Sequence, residues 1–187
     1  MSTLVSQRAT LNDLIKVKGK SELIGGRIVT YMASGFLPGM IAVNILIALR
    51  AYVRAQGLGH VTADNVGYAV DELHSGRESF CPDVGFFTGP PPANAMRFVD
   101  GPPAFAVEVR SENDYGKPAE RDLADKRADY FAAGTLVIWD VDPVSERVTS
   151  YRLDSPAAPQ LFRKGDVANA EPAVAGWAMS VEEIFVV

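Results

Sequence analysis

Cysteine is almost absent: Cys81 is the only one in 187 residues. No intrachain disulfide can form, and a cytoplasmic setting is expected. A catalytic thiol would need a positioned histidine, and only His60 and His74 exist. Beside Pro82, Cys81 reads instead as a small buried apolar residue. Neither histidine has a partner at metal-ligand spacing. Basic residues do not dominate: 18 Lys and Arg face 23 Asp and Glu, a formal net charge of −5. That weighs against tight nonspecific nucleic-acid binding, which needs clustered cations, but not against a local basic patch. Long apolar runs are missing too. The longest, MIAVNILIALRAYV, carries Asn44 and Arg50 and falls short of the ~20 apolar residues of a membrane span. MSTLVSQRATLNDLIKVKG shows no secretory h-region, so no export and no membrane role are expected. Repeats and low-complexity tracts are absent, as are nucleotide-loop, serine-hydrolase and HExxH zinc motifs.

What remains is a folding chain of one domain, 1–187. Hydrophobic residues make up 48% and charged residues 22%, enough to bury a core without staples. Leu11, Leu14, Ile15 and Val17 predict a helix over Leu11 to Leu23, weakened by Gly19. GGRIVTYMA predicts a strand, one arm of a hairpin. Pro38 opens a helix to about Gln56, with Ile41, Ile45, Leu49 and Tyr52 at helical spacing and Gly57 beyond its end. Strands are expected at VGYAVDEL, DVGFF, FAVEV, LVIWDV and RVTSYRL. The proline-rich TGPPPANAMRFVDGPP reads as a surface loop, with Gly89 to Pro103 near any site. A second helix runs from Pro118 to Gly134. FAVEV and LVIWDV flank it, the pattern of a βαβ unit with a partly parallel sheet. SVEEIFVV is expected as a short element on the core or a partner.

Three residues stand out. Glu108 interrupts the wholly apolar run from Ala104 to Val109, where a carboxylate is costly unless paired or coordinated. Alternation places it on one face with Ala106 and Arg110, so Arg110 is its simplest partner. Asp83 follows Pro82 at a strand start; it either satisfies loop N–H groups or serves a site. Lys126 lies at the seam of the second helix, beside its apolar stripe and near Tyr130. Its plain reading is a snorkelling lysine paired with Asp122 or Asp129. Glu22, in SELIGGR, reads alone as a solvated acid. Two acids at strand ends with a nearby cation are the minimum equipment for metal-assisted phosphodiester hydrolysis.

SELIGGRIV, PDV, VEVRS, RDLADKRADYFAAG, LVIWDVDP and RVTSYRL, in this order, resemble the PD-(D/E)XK nuclease superfamily and more closely its Uma-two family of restriction-endonuclease-like proteins. The blocks span Ser21 to Leu153. The resemblance implies an α/β restriction-endonuclease-like core, a mixed central β-sheet flanked by α-helices. It implies that Asp83 and Glu108, with the Val109 carbonyl nearby, bind Mg²⁺, with Mn²⁺ as a substitute. In many members the strand lysine is replaced by one on the next helix; here Arg110 holds the strand position and Lys126 the helix position. Glu22 matches the acid of the first block, and its implied role is to complete the acid cluster. Gly39 and Met40 stand where the family often has a histidine, and Glu112 where it has a proline. The implied activity is endonucleolytic cleavage of DNA, with Lys126 orienting or deprotonating the attacking water and Arg110 pairing with Glu108 or contacting a phosphate oxygen; a homodimer is expected because cutting a duplex suits two copies of one site. The alternatives are a non-catalytic binding module on the same fold and a hydrolase of another phosphodiester.

Overall fold

Glycines set the first elements of the chain, seen in a computed structural model that describes residues 8–187. Residues 1–7, part of the stretch expected to lack a secretory signal, lie outside the described residues. The expected helix over Leu11 to Leu23 is cut short: α1 covers only Leu11–Leu14. Gly19 sits at φ 92° and ends any continuation, and Ser21–Ile24 is strand β1. Gly25 and Gly26, at φ 58° and 70°, turn the chain into β2, Arg27–Thr30. Positive φ at both central residues is what a tight hairpin between twisted strands requires. The hairpin was expected; its first arm, SELI, was misread as helix.

Helix α2, Phe36–Gln56, starts before Pro38 and ends at Gly57 in the left-handed region. Its 21 residues exceed the apolar run read from the sequence and are, by length and composition, enough to cross a membrane. Ile41, Ile45, Leu49 and Val53 are nonetheless buried against the sheet. Then come β3 (His60–Ala63), β4 (Tyr68–Ala69), β5 (Ser79–Phe80), β6 (Val84–Phe87), β7 (Val99–Asp100) and β8 (Phe105–Val109). VGYAVDEL therefore supplies only the two-residue β4. The proline-rich loop is pinned where β7 pairs with β4, and Arg97 reaches Asn12.

Helix α3, Lys117–Ala133, connects β8 to β9, Val137–Asp142, and those two strands are parallel as expected. The chain closes with β10 (Arg147–Arg152), β11 (Gln160–Phe162), β12 (Val167–Asn169), β13 (Ala178–Ser180) and the short α4 (Val181–Ile184). The main sheet runs β11-β10-β9-β8-β6-β3. Within it only β8–β9 is parallel, so the central sheet is mixed and flanked by helices.

Each face of this sheet has its own core. Phe105, Val107, Val109, Trp139 and Val141 point toward α2 and the C-terminal segment. Trp139 stacks on Trp177 with centroids 5.2 Å apart, and Phe105 meets Trp139 edge-on. On the other face Ala106, Ile138 and Phe80 pack with Tyr130 of α3. Alternation along β8 thus sends Val107 and Val109 to the α2 side and Glu108 to the α3 side.

Candidate active site

Asp83 ends the hydrogen-bonded ladder between β6 and β8. Its N–H donates to the Val107 carbonyl at 3.0 Å, and its Oδ2 accepts the Val109 N–H at 2.7 Å. The next residue turns the other way: the Arg110 N–H donates to Val141 on β9. In an extended strand the N–H and C=O of one residue point to the same neighbour. The Val109 carbonyl therefore lies on the Asp83 side, as the resemblance implies.

Glu108 projects from the adjacent position toward α3. Its Oε1 accepts the Tyr130 hydroxyl at 2.6 Å and pairs with Lys126 Nζ at 2.8 Å. Lys126 also pairs with Glu22 at 3.1 Å. Its plain partners Asp122 and Asp129 are not the ones it takes. Asp129 pairs instead with Arg77, and Arg77 in turn holds Glu22. Glu22 is fully buried, not solvated. It also accepts the Tyr31 hydroxyl (2.9 Å) and the Cys81 N–H (3.0 Å). The β1–β2 hairpin brings it there, because Leu23 and Gly25 bond to segment 76–79.

The charges of this cluster set one another. Burial pushes the Glu108 carboxyl up; Lys126 opposes this and the nearby Asp83 charge adds to it, leaving the group raised. Burial also works against an ionised Glu22, but Lys126 and Arg77 outweigh it and hold that carboxyl below its usual range. Burial disfavours the Lys126 ammonium, yet Glu108 and Glu22 together raise it above the ordinary lysine value. The two carboxylates thus favour the charged form of Lys126. Burial pushes the Cys81 thiol up to about 12, so it is no thiolate nucleophile.

Arg110 does not join this group, and the expected Arg110–Glu108 pair is not formed. Its guanidinium forks onto Asp140 (2.7 and 2.8 Å) and also holds Glu120 in the first turn of α3. Glu108 lies directly opposite Asp140 in the parallel register, so Arg110 finds a carboxylate on β9 before it can fold back along its own strand. A bidentate fork is the stronger contact. Asp140 is thus a salt-bridge residue within β9 and does not end the strand.

Four members of the site escaped the sequence reading: Lys20, Asp64, Arg77 and Tyr31. Lys20 Nζ lies 2.6 Å from Asp83 Oδ1 and 2.9 Å from Asp64 Oδ1. Arg77 and Tyr31 hold Glu22. Lys20 had a signal: it precedes Glu22 by two, so a strand reading of SELI places both on one face. Arg77 and Tyr31 had none.

In all, five carboxylates (Glu22, Asp64, Asp83, Glu108, Asp129) meet three cations (Lys20, Arg77, Lys126) through linked ion pairs. Fully ionised, the cluster is short of two positive charges. Among the described residues no three acid, histidine or cysteine side chains converge as a ready-made metal cage. Mg²⁺ does not need one: it keeps several waters and takes one or two carboxylates. Asp83, Glu108 and the Val109 carbonyl are hard oxygen donors that fit such an ion. A cavity of about 230 Å³ opens beside Asp83 and Asp64, walled by Pro38, Gly39, Ala42 and Leu46 of α2.

Comparison with known proteins now bears on the fold. A crystal structure of a "putative nuclease belonging to DUF820" from Anabaena variabilis ATCC 29413 aligns with a TM-score of 0.72 at 18% identity, covering 94% of this chain and 97% of that one. At that identity the likeness shows the fold alone, a mixed α/β architecture. No curated protein matches the chain. The family Uma2, described as "Putative restriction endonuclease", matches residues 9–182. The match runs from just before α1 into the start of α4, and the chain belongs to the Uma2 family of restriction-endonuclease-like proteins.

Proposed function

We propose that this chain is a Mg²⁺-dependent endonuclease that hydrolyses DNA phosphodiester bonds, with Mn²⁺ as a working substitute. The observation that carries the reading is the pair Asp83 and Glu108, on neighbouring strands, in a buried cluster with more acids than cations. A divalent cation supplies the missing charge where like charges repel. Asp83, Glu108 and the Val109 carbonyl would hold it. When bound, such an ion polarises a phosphoryl oxygen and lowers the pKa of a bound water.

The chain's own groups have separate work. Lys126, paired with Glu108 and Glu22, orients the attacking water and stabilises charge on the phosphate. Tyr130 fixes the Glu108 carboxylate through its 2.6 Å hydrogen bond. Glu22 completes the acid cluster by holding Lys126. Arg110 is a positioning residue: it ties α3 to β9 and so sets where Lys126 stands. The substrate backbone passes along the cavity beside Asp83. Two copies acting as a homodimer would address two strands.

A second reading has one specific observation in its favour. Lys20 and Lys126 already pair with Asp83 and Glu108, which suits a binding module that holds no metal. Calorimetric titration of Mg²⁺ and Mn²⁺ into wild type and Asp83→Ala, with the same preparations run on single- and double-stranded DNA, separates the two. Binding and cleavage lost together in the mutant are expected. Absence of cation binding by the wild type, even with DNA present, would leave the module standing.

A further inference from the structure

Lys20 is the most tightly held lysine that the proposed chemistry leaves without a role. It stands just before β1, with a side chain only 16% exposed, and bridges two carboxylates: Asp83 at 2.6 Å and Asp64 at 2.9 Å. These partners are not equivalent. Asp83 is buried beside Glu108, whereas Asp64 is half exposed on the rim of the cavity next to α2. The Lys20 ammonium thus spans the gap between the buried acid and the rim acid. One oxygen of Asp83 is taken by Lys20 and the other by the Val109 N–H. A cation that is to take the position beside Asp83 Oδ1 that the Lys20 ammonium now fills must displace Lys20 first.

From this geometry we infer that Lys20 is the resting counter-ion of the site, a built-in competitor that yields Asp83 to a divalent cation and swings onto Asp64. The inference rests on the metal-binding reading above. Two features make the exchange feasible. The lysine stem is flexible and its ammonium is a point charge without a fixed fork, and Asp64 is already in contact, so the charge is never stranded. After the exchange the ammonium stands at the cavity rim, where a substrate phosphate passes. Lys20 then changes from an occupant of the metal position to a phosphate contact. Without an ion it keeps Asp83 and Glu108 from repelling each other; with one, the charge it leaves behind is more than replaced.

The test compares full-length wild type with Lys20→Met and with Lys18→Met, an exposed lysine two residues away that controls for the general loss of one charge. Mg²⁺ affinity is read by calorimetry, and binding of a DNA duplex is measured in Ca²⁺. Lys20→Met should bind Mg²⁺ at least about fivefold more tightly, the lower end of ordinary coupling between two bound groups. It should bind DNA more weakly, and its melting temperature should gain more from Mg²⁺ than that of the wild type. Lys18→Met should change Mg²⁺ affinity by less than about twofold. If Lys20→Met does not fold without the ion, Lys20→Gln, which can still bond both carboxylates, serves in its place with the same expectation. Equal or weaker Mg²⁺ binding in the Lys20 variant, or an equal gain in Lys18→Met, overturns the inference. If the wild type binds Mg²⁺ through Asp83 and Lys20→Met binds no better, the inference falls alone. If neither protein binds the ion, the metal-site reading falls with it.

Discussion

At the scale of single residues, Glu108 was legible because it is an anomaly: one carboxylate in an otherwise apolar strand must have a partner. Its partner was not legible. Arg110, two residues on, was the natural choice, yet the partners are Lys126 and Tyr130, one turn apart on α3. Only the parallel register, which sets Asp140 opposite Glu108, explains why Arg110 goes elsewhere. Glu22 is the sharper case. In sequence it is an ordinary acid, and in the fold it is sealed between Arg77, Tyr31 and Lys126, from segments 55, 9 and 104 positions away. A consequence can be measured. The folded-state pKa of Glu22 lies below the usual value of 4.5, so its stabilisation is fully present above that pH. It is lost as pH falls through the folded pKa. Glu22→Gln should cost about 3 kcal/mol at pH 7, since Arg77 and Lys126 lose a buried anion. The gap to wild type should narrow below about pH 4.5, because the mutant has no such carboxylate to protonate. Denaturant melts at pH 7 and pH 3.5 give the comparison, and a constant gap would sink the assignment. Lys126→Met makes a second case: turnover should fall about 100-fold while Mg²⁺ binding by calorimetry persists. No change in turnover would remove Lys126 from the chemistry.

At the scale of elements, α2, α3, β8 and β9 were legible because each combines a strong period with clear stops, such as Gly57 and Gly134. The failures were short pieces whose stability comes from neighbours. β4 is two residues long and exists because β5 and β7 flank it; β1 exists because segment 76–79 accepts it. Local propensity carries little information in such places. One element shows how packing governs the site from a distance. Gly85 lies in β6, two residues after Asp83, and a Cβ there would run into the Tyr68 hydroxyl and Thr62 Oγ1, which are bonded to each other at 2.7 Å. The strand can lie this close to β3 and Tyr68 only without a side chain. Gly85→Ala should therefore destabilise the fold by about 1–3 kcal/mol and also weaken Mg²⁺ binding, because β6 positions Asp83. Thermal melting and metal titration of the same variant test both halves. A destabilised protein with unchanged metal affinity would show that Asp83 is positioned by its own hydrogen bonds to β8 rather than by β6.

At the scale of the whole molecule, the fold class was legible and the surface was not. Alternating strands and helices pointed to a mixed sheet with flanking helices, and the spacing of Ile41, Ile45 and Leu49 marked the inner stripe of α2, whereas nothing in the sequence said that Val43 and Ile47 on its other side would stay exposed. The inner stripe is core. The outer one leaves Phe36 75%, Val43 42% and Ile47 63% exposed, with Met32 nearby at 86%. A patch of this kind rimmed by charge, here Arg50 and Arg54, is the usual mark of an interaction surface. The same helix walls the cavity beside Asp83, so a partner on its outer face would sit next to the proposed cleavage site. For a homodimer this arrangement means that two sites share one helix pair, and duplex cutting becomes a matter of assembly. Ile47→Asp tests the link, since an exposed position should change stability by no more than about 0.5 kcal/mol. Light scattering should show a dimer for wild type and a monomer for the variant. On supercoiled plasmid the monomer should accumulate nicked circles, where the dimer produces linear DNA. A variant that stays dimeric moves the interface off α2. A monomer that still linearises plasmid in single encounters means that one chain cuts both strands, and that the outer face of α2 serves something other than duplex cleavage.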